Sequence, residues 1–278
     1  AQINVPRDYW TQVIDIELPP IVRFERQGGG KDAIESAAKL LSKAKFPVIL
    51  SGAGVVLGGA IDECKQLAEK LDAPVCNGYQ HNDSFPGSHP LAVGPLGYNG
   101  SKAAMELISK ADVVLALGTR LNPFSTLPGY GIDYWPKKAT IIQVDMNPDR
   151  IGLTKKVSVG ICGDAKQVAQ QILDKLSSDA GNTGREERKN LIHKTKSAWL
   201  QTLSGLDHEE DDPGTVWNKE ARERDKDRMS PRQAWRAIQD ALPQDAIISS
   251  DIGNNCAIGN AYPTFEKPRK YLAPGLFG

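Results

Sequence analysis

The sequence has no excess of positive or negative charge and no long apolar run. These two absences count against charge-driven binding of nucleic acid or membranes and against a membrane span. Its 34 Lys and Arg residues balance 34 Asp and Glu residues, so no net field attracts nucleic acid or an anionic membrane. The longest apolar stretches, such as Val113–Leu117, are far too short to span a bilayer. We therefore expect small-molecule ligands, and any anion among them would need a local pocket.

Cysteine is scarce, and no two cysteines form a Cys-x-x-Cys pair: Cys64, Cys76, Cys162 and Cys256 are scattered. This distribution favours neither a zinc site nor a disulfide framework. It predicts buried, reduced thiols and a cytoplasmic protein. The four histidines show no His-Glu-x-x-His or comparable spacing, so no metal site is assigned.

From residue 31 the chain alternates helix-like and strand-like patterns. Apolar residues at helical spacing, beginning with Ile34, Ala37 and Ala38, precede the short apolar stretch Pro47–Leu50. Similar stretches recur at 73–76, 112–117, 140–144 and 157–162. Short strands without polar alternation, separated by amphipathic helices, indicate a parallel sheet covered on both faces. Residues 31–178 are therefore predicted to form a doubly wound α/β domain with a parallel sheet.

The composition changes after this domain. Residues 179–228 are predicted to be a charged, solvated connector with one helix around 186–203, and the run His208–Asp212 is interpreted as solvated rather than metal-binding. Ser230 and Pro231 then predict the N-cap and first residue of a new helix. Its predicted buried face carries Trp235, Ile238 and Leu242, and a strand at 246–249 follows.

The two ends of the sequence predict an internal piece of a longer protein. There is no initiator Met, and residues 1–6 alternate like a strand already under way. The last residues, Leu276–Gly278, form no polar tail.

A glycine-rich segment, Ser51–Gly59, follows a predicted strand and precedes a predicted helix, as a dinucleotide-binding loop does. Its third glycine comes one residue late, and Asn77 stands near the place where an acidic residue would bind a ribose. The pattern favours a tight strand-to-helix turn over an NAD site. A looser nucleotide site at the helix N-terminus stays open.

Polar residues follow two other predicted strands. Gln80, His81 and Asn82 begin the loop at 80–86, and Arg120 follows the strand at 112–117. Loops at the carboxyl ends of parallel strands face ligands in open α/β sheets. His81 is therefore the candidate catalytic residue and Arg120 a candidate anion contact, although a surface turn would explain the loop at 80–86 as well.

Three stretches are similar to three-domain thiamine-diphosphate-dependent enzymes, the family of acetolactate synthase. Residues 1–15 resemble the end of the pyrimidine-binding domain, and residues 78–136 resemble the central domain. Residues 229–278, which include SSDIGNNCAIGNAYPTF, resemble the start of the diphosphate-binding domain. The resemblance implies that residues 1–30 are the end of the first domain plus a linker. It also implies a central domain at 31–178, a connector at 179–228 and the start of the third domain at 229–278.

Within this family the chain is most similar to acetyltransferases that act on sulfoacetaldehyde. The resemblance implies that the full-length protein converts sulfoacetaldehyde and phosphate to acetyl phosphate and sulfite, in taurine degradation. It implies thiamine diphosphate and Mg²⁺ as cofactors, and a homodimer or homotetramer. Gly253, Asn254 and Asn255 match positions that contact the cofactor's diphosphate in relatives. Two alternatives stay open: acetolactate synthase-like carboligation, and a central domain that binds ADP or FAD.

Two cofactor-binding elements of this family are not found at matching positions of the chain. The pyrimidine-activating Glu and the Gly-Asp-Gly metal motif belong to neighbouring segments of the full-length enzymes. Gly163–Ala165 resembles that motif, with Asn190 downstream, but Asp164 directly precedes an amphipathic helix and is predicted to be its N-cap. The chain alone is therefore predicted to bind neither thiamine diphosphate nor Mg²⁺ and to be inactive.

Overall fold

The computed structural model describes residues 4–21, 25–206 and 228–273. Its strands are β1 (Pro47–Ser51), β2 (Val75–Asn77), β3 (Ala92–Pro95), β4 (Val113–Leu117), β5 (Thr140–Asp145), β6 (Val159–Cys162), β7 (Ile248–Ser249) and β8 (Tyr271–Leu272). Its α-helices are α1 (Lys31–Lys43), α2 (Ala53–Gly58), α3 (Ile61–Leu71), α4 (Lys102–Ile108), α5 (Ala165–Lys175), α6 (Arg185–Leu206), α7 (Pro231–Ala241) and α8 (Asn254–Gly259). Short 3-10 helices occur at Arg7–Thr11, Asn82–Ser84, Pro123–Ser125 and Pro148–Arg150.

The first six strands form one parallel sheet in the order β3-β2-β1-β4-β5-β6. Every residue of β1 and β4 is buried, because their apolar side chains are covered on both faces. The chain runs one way along the sheet from β1 to β2 and back from β3 to β4. Right-handed crossovers therefore place α3 and α4 on opposite faces. The predicted doubly wound parallel sheet is confirmed.

Strand β3 was not predicted from the sequence. It contains Gly94, which has a φ of +89°, and it ends with Pro95. Glycine and proline are both depleted in strands, and proline is tolerated mainly at sheet edges. The edge position of β3 therefore explains both its composition and the missing sequence signal.

Helix α6 lies inside the segment predicted to be a solvated connector, yet it packs against the rest of the fold. Ile192 belongs to the main core, and Trp199 and Leu203 join Trp235 and Tyr262 in a second, smaller core. Arg188 on the same helix is buried. The run His208–Asp212 falls within 207–227, outside the described residues.

The C-terminal part begins with α7 as predicted. Ser230 caps the helix in a reciprocal capping box with Gln233, and Trp235 is buried. The prediction for Ile238 was wrong: it is 44% exposed, because no described element covers that part of α7, and Leu242 is only half-buried. Strands β7 and β8 then pair in parallel.

The N-terminal segment differs from its prediction. Residues 1–3 lie outside the described residues, and 4–6 form no strand. Pro6 lacks a backbone N–H, and no described strand pairs with this segment, so the strand predicted there is wrong for its described part. No helix within the described ranges is long and apolar enough to cross a membrane.

Candidate functional site

A cavity of about 660 Å³ opens at the carboxyl edge of the central sheet. Loops that follow β1, β2, β4, β5 and β6 line it, together with the starts of α2 and α5. The chain leaves β1 towards β2 and leaves β4 towards β5, in opposite directions along the sheet. The cavity therefore lies at the point where the strand order reverses, which is where open parallel sheets bind ligands.

The floor of the cavity is a close crossing of two backbone segments. The N–H of Gly54 donates to the Gly118 carbonyl at 2.8 Å, and a Cβ on Gly118 would lie 2.7 Å from the Cα of Gly54. Gly118 also has a φ of +60°, a conformation that favours glycine. The predicted tight turn after β1 is confirmed, and it forms part of the cavity floor.

Arginines dominate the charge of the cavity wall. Arg26 pairs with Asp164 at 3.4 Å, and the Asp164 carboxylate accepts from the backbone N–H groups of Lys166 and Gln167. Asp164 is therefore the N-cap of α5, as predicted, and Asn190 is exposed on α6. Arg120 also lines the cavity. It is exposed and forms no ion pair within the described ranges, so it can bind an anion.

His81 lines the same cavity, next to Gln80, which has a left-handed φ of +62°. Burial lowers the pKa of the His81 imidazole; the carboxylate of Asp83 opposes this shift and the positive charge of Arg120 adds to it. The folded protein therefore favours the neutral ring near pH 7. A neutral His81 can donate or accept a single hydrogen bond, but it adds no positive charge to the cavity.

The neighbours of His81 face a different part of the protein. Gln80 donates from Nε2 to the Sγ of Cys256 at 2.8 Å. Asn82 donates from Nδ2 to the carbonyl oxygens of Asn260 and Pro263, at 2.9 and 2.8 Å. The loop at 80–86 thus joins the cavity to the segment around α8.

The turn between β7 and α8 holds the residues expected to contact diphosphate. Gly253 has a φ of +120° at the N-cap of α8, and the side chain of Asn255 is exposed. The Nδ2 atom of Asn255 makes only a long bond, 3.4 Å, to the Asp251 carbonyl. An open glycine backbone and a nearly free amide donor fit the diphosphate end of thiamine diphosphate. The side chain of Asn254 is outside the described part of the structure.

Metal-ligating side chains and cysteines were also located in the described part of the chain. No group of three or more metal-ligating side chains occurs among the described residues. All four cysteines are free, and burial raises the pKa of the Cys64 thiol to about 12. The prediction of buried thiols was wrong for Cys162, which is exposed because it ends the edge strand β6.

Several cavity residues were missed from the sequence. Asp145 ends β5 and Met146 follows it, so the rule on strand ends could have identified both. Arg26 carries no such signal, because its place beside Asp164 depends on how the segment before α1 runs across the sheet. Arg150 comes from a 3-10 helix after β5 and likewise lacked a pattern.

Comparison with known proteins agrees with this fold. Residues 34–172 match the family described as thiamine pyrophosphate enzyme, central domain. The whole chain is 78% identical to a probable sulfoacetaldehyde acetyltransferase of Rhizobium meliloti and 77% identical to a sulfoacetaldehyde acetyltransferase of Roseovarius nubinhibens, covering 47% and 46% of those proteins. It is 30% identical to a probable acetolactate synthase large subunit of Methanocaldococcus jannaschii, covering 45% of it. The chain thus spans about half the length of the curated relatives it matches. It belongs to the thiamine pyrophosphate enzyme family, and residues 34–172 match the central domain of that family.

Proposed function

We propose that this chain is part of a thiamine-diphosphate-dependent enzyme that converts sulfoacetaldehyde and phosphate to acetyl phosphate and sulfite. One observation carries the proposal: two relatives named for acetyl transfer with sulfoacetaldehyde are 78% and 77% identical along all 278 residues. The acetolactate synthase relative, named for a different reaction, is only 30% identical.

The residues of this chain would bind and orient the cofactor and the substrates, and the cofactor would supply the reactive group. Thiamine diphosphate, when bound, provides the nucleophilic carbon and the electron sink that such a reaction needs. The backbone at Gly253 and the amide of Asn255 would hold its diphosphate, as would Asn254 by resemblance. Mg²⁺ is proposed on the family resemblance alone. Both substrates carry anionic groups, which call for N–H donors, and His81 is our candidate for one of them.

The domain organisation and setting follow from the same proposal. Residues 1–30 would end the pyrimidine-binding domain, and 31–178 would form the central domain. Residues 179–228 would connect it to the diphosphate-binding domain that begins at 229. The full-length protein is proposed to be a cytoplasmic homodimer or homotetramer that acts in taurine degradation.

Two variants of the full-length protein test these assignments. Asn255→Ala should raise the Kd for thiamine diphosphate and leave kcat at saturating cofactor nearly unchanged, because the diphosphate is held equally in the ground and transition states. His81→Ala should instead lower kcat or raise the KM for an anionic substrate. The measurement is the steady-state rate of acetyl phosphate formation with cofactor and substrates varied.

The control is Asn190→Ala, which removes an exposed amide of the same kind on α6. An Asn255→Ala variant with the wild-type cofactor Kd would refute the diphosphate assignment. If His81→Ala matches wild type in kcat and in both substrate KM values, the loop at 80–86 is only a turn.

Nucleotide binding in the central cavity is a second candidate function. The cavity of about 660 Å³ lies at the switch point of the sheet. Its rim offers apolar surface from Leu57 and Met146, which are 69% and 65% exposed, and Arg120 and Arg150 could contact phosphates. ADP or FAD would match this combination of apolar rim and positive charge.

Binding of a nucleotide can be measured directly. ADP titrated into the full-length protein should bind, and Arg120→Ala should weaken it by about tenfold or more, as expected for a lost charged hydrogen bond. Lys39→Ala, which removes an exposed cation on α1, should have no effect. Stoichiometric FAD in the purified protein would favour the acetolactate synthase-like alternative. If the full-length protein binds neither ADP nor FAD, this second function is excluded.

A further inference from the structure

Two neighbouring side chains of the loop after β2 hold the C-terminal segment at two separate points. Asn82 donates to the carbonyl oxygens of Asn260 and Pro263, just after α8. The Asp83 Oδ2 atom accepts from the backbone N–H groups of Lys270 and Tyr271, at 3.0 and 3.4 Å, where β8 begins. Asn82 and Asp83 are only 5% and 4% exposed, so water competes little for these bonds.

The turn assigned to the diphosphate lies between β7 and α8, and the two contacts act on those two elements. Strand β8 pairs with β7, through Ile248 with Tyr271 and Ser249 with Leu272. The chain leaves β7 into Gly253 and enters α8 at the next residue. The elements on both sides of the turn at 251–255 are thus fixed: β7 through its partner β8 and Asp83, and α8 through Asn82.

Asn82 is a hydrogen-bond donor in its contacts, whereas Asp83 is an acceptor. The Nδ2 atom of Asn82 faces two acceptors, which sets the orientation of its amide. An aspartate of the same shape would place an anionic oxygen against both carbonyl groups. Asp83 faces two donors, so an asparagine there could keep both bonds through its own carbonyl oxygen. Substitutions that conserve size therefore have different expected effects at the two positions.

We propose that Asn82 and Asp83 are positioning residues for thiamine diphosphate, acting through the turn at 251–255. They fix that turn relative to the central domain and thereby set the affinity for the diphosphate, without touching the cofactor themselves. The inference rests on the proposed function, because it takes the turn at 251–255 as the diphosphate contact.

The test uses full-length protein with Asn82→Asp, Asp83→Ala and Asp83→Asn. The Kd for thiamine diphosphate, kcat at saturating cofactor and the thermal midpoint are measured for each variant. Asn82→Asp and Asp83→Ala should raise the Kd by about tenfold or more, the loss expected for a pair of buried hydrogen bonds. Asp83→Asn should stay within about threefold of wild type, and kcat at saturation should change little in all three.

Ser88→Ala is the matched control. Ser88 also joins this loop to the C-terminal segment, because its backbone N–H and its hydroxyl donate to the Glu266 carboxylate at 2.9 and 2.7 Å. This contact is exposed, and Glu266 belongs to neither α8 nor β8. Ser88→Ala removes only the hydroxyl bond. The Ser88→Ala variant should bind thiamine diphosphate with the wild-type Kd.

The outcomes separate this inference from the proposed function. Wild type that binds no thiamine diphosphate overturns the proposed function and this inference with it. Wild-type binding together with an unchanged Kd in Asn82→Asp and Asp83→Ala overturns the positioning role alone, even if the thermal midpoint falls. If Asn82→Asp fails to fold, the comparison of Asp83→Ala with Asp83→Asn decides: equal Kd values overturn the proposal, and rescue by Asn supports it.

Discussion

Replacing Arg188 by methionine removes a buried guanidinium and keeps most of the length of the side chain. Arg188 lies near the start of α6 and is 1% exposed. Its three nitrogen atoms donate to five backbone carbonyl groups, which belong to Lys45, Leu71, Asp72, Gly181 and Thr183. These carbonyls come from the loop before β1, the end of α3 and the segment before α6, so one side chain joins three parts of the fold.

The expected change in the free energy of unfolding follows from the hydrogen bonds that Arg188→Met removes and the carbonyl groups it leaves without a donor. A hydrogen bond to a charged group contributes about 1.5–3 kcal/mol, and a buried carbonyl left without a donor costs about 1–3 kcal/mol. Burial lowers the pKa of Arg188, which reflects a desolvation cost that the methionine variant no longer bears. The contacts to the Lys45 and Thr183 carbonyl groups are only partly buried, so water can replace the lost donor there. We therefore expect a loss of about 3–5 kcal/mol in the free energy of unfolding, at the upper end for single substitutions.

Urea denaturation of the chain, followed by circular dichroism, measures this loss. The control is Arg185→Met, which removes one half-exposed partner of Asp72 and should cost less than Arg188→Met, because Lys189 still lies 3.8 Å from the Asp72 carboxylate. An Arg188→Met variant within about 1 kcal/mol of wild type would refute the reasoning. It would mean that α6 does not hold these carbonyls as described.

Three further predictions concern the central domain. The NMR titration midpoint of His81 should lie below its ordinary pKa of 6.5. The unfolded state then binds more protons than the folded state, so the free energy of unfolding should fall as the pH drops from about 7 to 5. The fall should be less steep in His81→Gln. A thiol reagent should modify one cysteine in the folded chain, Cys162, since the other three are buried. Gly118→Ala should destabilise by about 2 kcal/mol or more, because its Cβ would lie 2.7 Å from backbone and its φ is +60°. Gly59→Ala, with a φ of +68° but nothing within 4 Å of the added Cβ, should cost only about 1 kcal/mol in chemical denaturation.

Different results would contradict each of these. A His81 midpoint at or above 6.5 would mean that the ring is not desolvated in the cavity wall. Rapid modification of the folded Cys162→Ser variant by the thiol reagent would show that another thiol is accessible. Equal losses for Gly118→Ala and Gly59→Ala would show that the backbone crossing beneath the cavity is looser than described.

The central sheet could be predicted from the sequence because its buried strands are short, apolar and regular. Val113–Leu117 is one such strand, and Ile34 and Leu41 mark the buried face of α1. The cap at Asp164 was equally local. Strand β3 could not be predicted, because Gly94 and Pro95 hide a strand whose edge position tolerates both.

The candidate site was only partly predictable, since its parts meet through tertiary structure. The rule on strand ends located His81 and Arg120, which do line one cavity. It could not show that Asn82 contacts the C-terminal segment, because the acceptors there are backbone carbonyls with no sequence signature. Arg188 was hidden for a similar reason: a charged residue in a charged run predicts exposure, and only the five carbonyls around it explain its burial.

Product analysis of the full-length protein tests the proposed reaction most directly. With sulfoacetaldehyde, phosphate, thiamine diphosphate and Mg²⁺, acetyl phosphate and sulfite should appear in equal amounts, and neither should form when thiamine diphosphate or phosphate is omitted. Formation of acetolactate from pyruvate, with no sulfite released from sulfoacetaldehyde, would contradict the proposal.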